Sequence, residues 1–324
     1  MPTVTLPESA KLAQDELVAG VIESIVTVNR MFEVLPFDGI AGNALKYNRE
    51  AALGPVATVG VGDTDGVIGS DASAGSNLAE RQAAKNAATF TEVTASLTTI
   101  MGDAEVNGLI QATRSSDGND QTEVQIASKA KSAGRKYQDM FINGDGTNET
   151  FPGLLALCAA GQTVPAVGGN GDALSFEVMD QTMDLVIDKD GQVDYLAMNQ
   201  RTIRSWKSLL RGLGGASINE VIELPSGAMV PAYSGTPIFR NDYIPTNQTT
   251  GGNNATTTFF AGTLDEGGRQ NGVVGLTAEM ASGISVVDVG ESETKDERIW
   301  RVKWYSGLAL FSELGLACAS GITN

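Results

Sequence analysis

The apolar positions change period several times along this chain, and each change predicts an element. Residues 7–29 place Leu17, Val21, Ile22, Ile25 and Val26 at helical spacing behind Pro7, Glu8 and Ser9, which suit a first turn; the pattern predicts an amphipathic helix. Met31 to Phe37 (MFEVLPF) reads as an apolar extended piece broken at Pro36. Residues 44–50 read as a short strand. Residues 89–100 alternate, with Val93, Ala95 and Leu97 on one face and Thr94, Ser96 and Thr98 on the other, which predicts another strand. The longest predicted helix covers 120–142. Asp120 opens it, Glu123 follows as in a capping box, and Val124, Ile126, Ala130, Ala133, Tyr137, Met140 and Phe141 give it an apolar stripe. It stops before Asn143-Gly144-Asp145-Gly146.

From Phe151 the texture is mixed. Residues 175–187 read as a helix with Phe176, Met179, Met183 and Val186 on one face, then a turn at Asp188–Gly191, a strand from Asp194 to Met198, and a helix from about Gln200 to Arg211. The stretches VIELP, MVPAYSG and TPIFRNDYIP follow as strands between turns. Residues 245–258 (PTNQTTGGNNATTT) read as a mobile polar loop. Strands return at Ile284–Val289 and along Arg298–Leu316, where Trp300, Val302 and Trp304 alternate with Arg301, Lys303 and Tyr305. No internal repeat is visible.

Between the strands at 44–50 and 89–100 lies a segment, Gly54 to Glu80, rich in Gly, Ala, Ser and Asp. It holds no Lys or Arg, and its charges are Asp63, Asp65, Asp71 and Glu80. Strand, long tip and strand together form the pattern of a large protruding hairpin. A tip without its own core implies a functional excursion or a segment ordered by a partner.

Composition narrows the function. The chain has 324 residues, 42% hydrophobic and 19% charged, a globular balance with material for one large domain or two modest ones. Thirty-eight glycines imply many turns and exposed loops. The absence of histidine removes Ser-His-Asp and Cys-His nucleophile systems and every His-ligated metal site. A net charge of −17 argues against non-specific grip on nucleic acid, which needs clustered cations. Cys158 and Cys318 each sit in an apolar run and read as two small hydrophobes in a reducing compartment; nothing demands a disulfide. The opening MPTVTLPESAKLAQDELV has no basic region followed by an apolar block, and no run approaches the roughly 20 apolar residues of a membrane helix. The expectation is a soluble protein made in a cytoplasm, with no membrane partner.

No polar constellation rises above the background, so no catalytic, cofactor-binding or metal-ligating residue is expected. The acids occur at no defined spacing on an apolar background and read as solvated surface. Asp188-x-Asp190-Gly191 lacks the Gly and bidentate Glu of a calcium loop. Gly144-Asp145-Gly146 and Gly212-Leu213-Gly214-Gly215 lack the spacing and the basic residue of phosphate loops and read as turns or caps. The sequons at Asn148, Asn247 and Asn254 read as chance. One charge feature stands out. From Tyr195 to Asn219 there is no acid, and Arg201, Arg204, Lys207 and Arg211 fall within roughly a 120° arc of one helix face, a solvated face or a contact for an acidic partner. The acid-only tip is one such partner. Lys129, Lys131, Arg135 and Lys136 on the long helix offer a second cationic face. Subunit association through these charges is the expectation, and charge reversal at Arg201 and Arg204, or at Lys129 and Arg135, is expected to weaken it.

The order of elements resembles a known family. Phe141-Ile142-Asn143-Gly144-Asp145-Gly146 followed by Phe151-Pro152-Gly153-Leu154 resembles the junction of spine helix and axial domain in tailed-bacteriophage major capsid proteins with the Hong Kong 97-type fold. Asp194-Tyr195-Leu196-Ala197-Met198-Asn199, Gly235-Thr236-Pro237-Ile238-Phe239-Arg240-Asn241-Asp242-Tyr243-Ile244-Pro245 and Trp304-Tyr305-Ser306-Gly307-Leu308 are similar to further segments of that family, and the likeness spans nearly the whole chain. The resemblance implies an α+β fold with an N-arm over 1–40, an extended loop over 41–100, a peripheral domain over 101–150 and 284–324 with its spine helix at 120–142, and an axial domain over 151–283. It implies no enzyme but a subunit that self-assembles, as hexamers and pentamers, into an icosahedral head in the host bacterial cytoplasm and ends in the virion. The head encloses double-stranded DNA without sequence-specific binding. A separate scaffolding protein, a portal and a decoration protein are the implied partners. Some members cross-link through a loop Lys and a neighbour's Asn. The tip here has no Lys, only Lys46 and Lys85 on its flanks, so non-covalent contacts or a separate decoration protein are expected instead. An encapsulin-type compartment shell is the nearest alternative; a β-rich surface or glycan-associated protein is the alternative from another class.

Overall fold

The computed structural model of the chain describes residues 30–54, 87–114, 120–188, 191–212, 220–225 and 227–323. The helix predicted over 7–29 and all but the first residue of the Gly54–Glu80 tip lie outside them.

Met31–Phe37 is not extended throughout. It opens with one helical turn, α1 (Met31–Val34), and turns extended at Leu35, at φ −62° and ψ 118°, before strand β1 (Phe37–Ile40). Pro36 causes the break, because its ring disfavours helical geometry at the preceding residue. The predicted run 89–100 is two strands. β2 (Ala44–Ala52) pairs with β3 (Thr89–Ser96), and after Leu97, whose N–H donates to the Asn43 carbonyl at 3.0 Å, the chain continues as β4 (Thr98–Asn107).

A short helix, α2 (Gly108–Arg114), precedes the long one, α3 (Gln121–Asn143). Asp120 caps α3 by accepting from the Thr122 N–H at 2.8 Å. Gln111 of α2 locks that cap: its amide donates to Asp120 at 2.9 Å and accepts from the Thr122 hydroxyl at 3.1 Å. The stripe predicted for α3 is its core face: Ala133, Tyr137, Met140 and Phe141 are buried, and Tyr137 lies 4.5 Å from the Trp304 ring centroid.

The NGDG…FPG junction has a steric origin. The chain leaves α3 through Gly144 and doubles back so closely that Gly153 N–H donates to the Gly144 carbonyl at 2.8 Å. A Cβ on Gly144 would stand 2.1 Å from the Phe151 carbonyl oxygen, and one on Gly153 would stand 2.5 Å from that of Met140. Asp145 holds the intervening turn, accepting from the Thr147 N–H at 2.9 Å and from the Thr147 and Thr150 hydroxyls at 2.6 and 2.8 Å. These donors hold its carboxyl down to about 2, the Thr147 hydroxyl contributing most.

Beyond the junction come α4 (Leu154–Leu157), β5 (Thr163–Pro165), α5 (Phe176–Ile187), β6 (Tyr195–Met198) and α6 (Gln200–Gly212). Then follow β7 (Glu220–Glu223), β8 (Met229–Tyr233), β9 (Thr236–Arg240), β10 (Gln248–Thr250), β11 (Asn253–Gly262), β12 (Val273–Ala278), β13 (Ser285–Glu291), β14 (Glu297–Leu310) and β15 (Leu316–Ile322). Two expectations fail here. The polar stretch 245–258 is not a loop: it supplies β10 and the start of β11, with Thr256, Thr257 and Thr258 fully or nearly buried. Each threonine hydroxyl finds an acceptor, at the Gln248 carbonyl, the Pro245 carbonyl and the Gln248 side chain, 2.7–2.8 Å away. The run 298–316 is not one strand either. It stops at Leu310, turns through Glu313–Gly315 and starts β15.

Two sheets organise the larger unit, residues 1–44 and 95–324. One has the order β1-β12-β14-β13, with β4 antiparallel to β14 from Asn107 opposite Glu297 to Thr98 opposite Ser306. The other runs β5-β15-β11-β6-β9-β8-β7, with β10 on β11. The last strand, β15, therefore sits inside this second sheet, between β5 and β11, while β12 belongs to the first. α3 packs on β4 and β14, where Tyr137, Phe141, Phe151, Ile100, Val302 and Leu308 form one core. α5 packs on β11 and β15, and a second core joins Val178, Met179 and Met183 to Leu196, Trp206, Phe259 and Ile322. The smaller unit, residues 45–94, is described here only by the β2–β3 ribbon.

Candidate functional site

A cavity of about 440 Å³ is lined by Asp194, Asp265, Glu266, Gln270, Asn271 and Ser312 among others. Two of its carboxylates, Asp265 and Asp194, serve the fold. Asp265 accepts from the N–H groups of Gly267, Arg269 and Gln270 and so closes the loop that carries them. Asp194 accepts from the Leu264 N–H at 2.8 Å, and burial raises its pKa above the usual carboxylate value. Among the described residues no group of three His, Cys, Asp or Glu side chains is placed to hold a metal.

The surfaces are more informative. α6 begins after Asn199, a buried cap that accepts from the N–H and the hydroxyl of Thr202 and donates to Thr257 at 2.6 Å. The cap and the buried Ile203, Trp206 and Leu210 fix which face of α6 turns outward. That face exposes Arg204, Lys207 and Arg211. Arg201, at the edge of the same arc, does something else: its guanidinium donates to the Ala255 carbonyl at 2.9 Å and the Ile322 carbonyl at 3.4 Å, tying α6 to β11 and β15. Burial and, second, the Arg204 charge lower its pKa. On α3 the cations Lys129, Lys131, Arg135 and Lys136 are all exposed. Lys136 pairs with Asp139 at 3.6 Å, and Lys129 stands close enough to Asp103 to help lower its pKa, a smaller effect than the bidentate bonds from Arg301 at 2.8 and 2.9 Å. Asp63, Asp65, Asp71 and Glu80 lie outside the described residues.

Two apolar surfaces escaped the reading of the sequence. The β2–β3 ribbon has Ala95 as its one buried side chain among those described, and Leu53 and Phe90 are 77% and 67% exposed. A cross-strand ion pair, Lys46 to Glu92 at 2.8 Å, is solvent-exposed. A two-stranded ribbon is marginal in water by itself. The second surface is β13, at the end of its sheet, where Val286, Val287 and Val289 are exposed. An apolar sheet edge is a template for association. Alternation over 89–97 was the available signal for the ribbon; nothing local marks β13 as an edge, because edge position is a property of the sheet.

No family model matches the sequence, and no curated protein matches it. Solved structures do match, over essentially the full length. The holo-SrpI encapsulin of Synechococcus elongatus has a TM-score of 0.71 at 17% identity, covering 99% of this chain and 97% of that one. The capsid of cyanophage A-1(L) has a TM-score of 0.69 at 12% identity, covering 99% of both chains. The capsid of a native GTA particle has a TM-score of 0.62 at 11% identity, again covering 99% of both. The chain has the Hong Kong 97-type capsid fold. That agrees with the resemblance read from the order of the elements and with the α+β class. Both phage capsids and an encapsulin share the Hong Kong 97-type fold with this chain, so the likeness is one of architecture. No described helix is long and apolar enough to cross a membrane.

Proposed function

We propose that this protein is the major subunit of a tailed-phage head, a structural protein and not an enzyme, which self-assembles into an icosahedral shell around double-stranded DNA. The observation that carries the reading is the full-length likeness to capsid structures, 99% of both chains for the GTA particle and the cyanophage, in a chain whose β2–β3 ribbon leaves Leu53 and Phe90 uncovered. In this reading residues 1–40 are the N-arm, 41–100 the extended loop, 101–150 and 284–324 the peripheral domain with α3 as spine, and 151–283 the axial domain. A neighbouring copy covers the ribbon, and the cations of α3 and α6 meet acids of adjacent copies, Asp63, Asp65, Asp71 and Glu80 being the candidates. The charge of −17 suits a lining that must release DNA, since phosphate attraction needs clustered cations. Scaffolding, portal and decoration proteins are the expected partners, the host cytoplasm the place of assembly and the virion the destination.

The likeness to an encapsulin favours a second reading, a shell around a protein cargo. Electron microscopy of the expressed protein tests the shared part: closed shells or capsomer rings are expected, and a monomer that never associates at any salt or crowding condition overturns both readings. Particles of this protein recovered from lysed native cells separate the two. Nuclease-protected double-stranded DNA inside supports the phage head, and an enclosed enzyme without DNA overturns it.

A further inference from the structure

Cys158 and Cys318, 160 positions apart in the chain, meet in the core. Cys158 caps the C-terminus of α4 and is half-buried; Cys318 lies on β15 and is buried. Both are free thiols. The Cys158 S–H donates to the Cys318 sulfur at an Sγ–Sγ distance of 2.8 Å, and the Thr163 hydroxyl lies 3.3 Å from Cys318. Thr163, on β5, is the register partner of Cys318, so paired backbone fixes the Cys318 side of the contact beside the chain that leads from Cys158. Two independent small hydrophobes would have no reason to meet sulfur to sulfur. A disulfide needs Sγ atoms at about 2.0 Å, so closing the bond takes less than about 1 Å of movement.

We propose that Cys158 and Cys318 form a reversible redox staple, closing to a disulfide when the protein meets a peroxide. One thiol ionises and its thiolate attacks a peroxide oxygen; the O–O bond breaks, hydroxide leaves, and the sulfur becomes a sulfenic acid. The second thiol's sulfur then attacks that sulfur, the S–O bond breaks, and the freed hydroxide leaves as water with the thiol proton. In sum two thiols lose two electrons and two protons, and hydrogen peroxide becomes two waters. Because Cys158 is half-buried, a small oxidant has a route to the pair. The shared proton helps: with the Cys158 S–H donating to it, the Cys318 sulfur is the one that ionises more readily, and its pKa is lowered for that reason first. The closed bond joins the segment between α4 and β5 to β15, the strand paired beside β5 at one end of the second sheet. In a reducing compartment the pair stays as thiols.

The test is hydrogen peroxide treatment of the purified full-length protein, followed by intact mass and maleimide tagging in denaturant. Loss of two hydrogens in mass, loss of both maleimide sites, recovery of both with dithiothreitol and a higher melting temperature for the oxidised form are expected. The peptide containing Cys158 should be found linked to that containing Cys318. Cys158→Ala should give no internal link and leave Cys318 gaining oxygen instead. Two thiols still taggable after treatment, or oxygen added to both sulfurs of the unsubstituted protein without a link, would overturn the proposal.

Discussion

Helix α3 carries one glycine in its interior, Gly134, and another at its C-cap, Gly144, and the same substitution at the two should act in opposite directions. A Cβ on Gly134 meets nothing within 4 Å, so Gly134→Ala should add helix propensity and stabilise the fold by about 0.5–1 kcal/mol. Gly144 has φ −58° and ψ 134°, a conformation open to alanine, so no backbone strain enters. The difference is space. The added Cβ would stand 2.1 Å from the Phe151 carbonyl oxygen, whereas a carbon–oxygen contact normally sits at about 3.3 Å or more. The two backbone segments must part by about 1 Å, which strains the Gly153–Gly144 hydrogen bond at 2.8 Å and shifts Phe151 out of a fully buried site. A lost bond costs about 1 kcal/mol and forced repacking about 1–3 kcal/mol, offset by about 0.5 kcal/mol from the stiffer unfolded chain. Gly144→Ala should therefore destabilise by about 2–3 kcal/mol. Urea unfolding of the unassembled subunit, followed by circular dichroism and tryptophan fluorescence, measures both. A Gly144→Ala protein within about 0.5 kcal/mol of the wild type, or two substitutions of the same sign, would refute the steric account of the junction.

Other expectations follow from the same geometry. Asn199→Ala removes a buried cap and leaves the N–H and hydroxyl of Thr202 without their acceptor, and should cost about 2–3 kcal/mol in the same urea assay. Arg201→Ala should cost about 1–2 kcal/mol because it frees two carbonyls, while Arg204→Ala should leave subunit stability within about 0.5 kcal/mol; equal effects would contradict the division of labour on α6. The carboxyl of Asp145 titrates near 2 in the fold against a usual 3.8, so its stabilisation is complete above about 3.8 and disappears as pH falls through about 2; acid titration of Asp145→Asn should show a shallower loss across that window. Leu53→Asp with Phe90→Asp should leave the far-ultraviolet spectrum and the urea midpoint of the subunit unchanged yet raise the protein concentration needed to form shells, read by light scattering, and unaltered assembly would remove the ribbon from the interface.

Much of this protein was legible in its sequence because the relevant forces are local. The apolar stripes of α3 and α5, the cap at Asp120 and the period-two pattern of β3 are written in neighbouring residues, and helix and strand follow from them. The glycines of the NGDG…FPG junction were visible as a motif, but their reason was not: it is the approach of two backbone segments, seen only when Met140, Gly144, Phe151 and Gly153 are placed together. Arg201 looked equivalent to Arg204 on a helical projection, and only the arrival of β11 and β15 beside it turned it into a carbonyl clamp. The threonines of 256–258 read as loop because polarity is what a sequence displays; their burial is tolerated because the chain folds back so that Pro245 and Gln248, 8–12 positions earlier in the same stretch, supply the acceptors. Sequence alone thus determined the main helices, several strands and their order, which sufficed for the α+β class and the likeness to shell proteins. Tertiary structure alone decided which strands became edges, which cations stayed outward and which distant sulfurs met, because edges, exposure and contact arise from pairings between residues far apart along the chain.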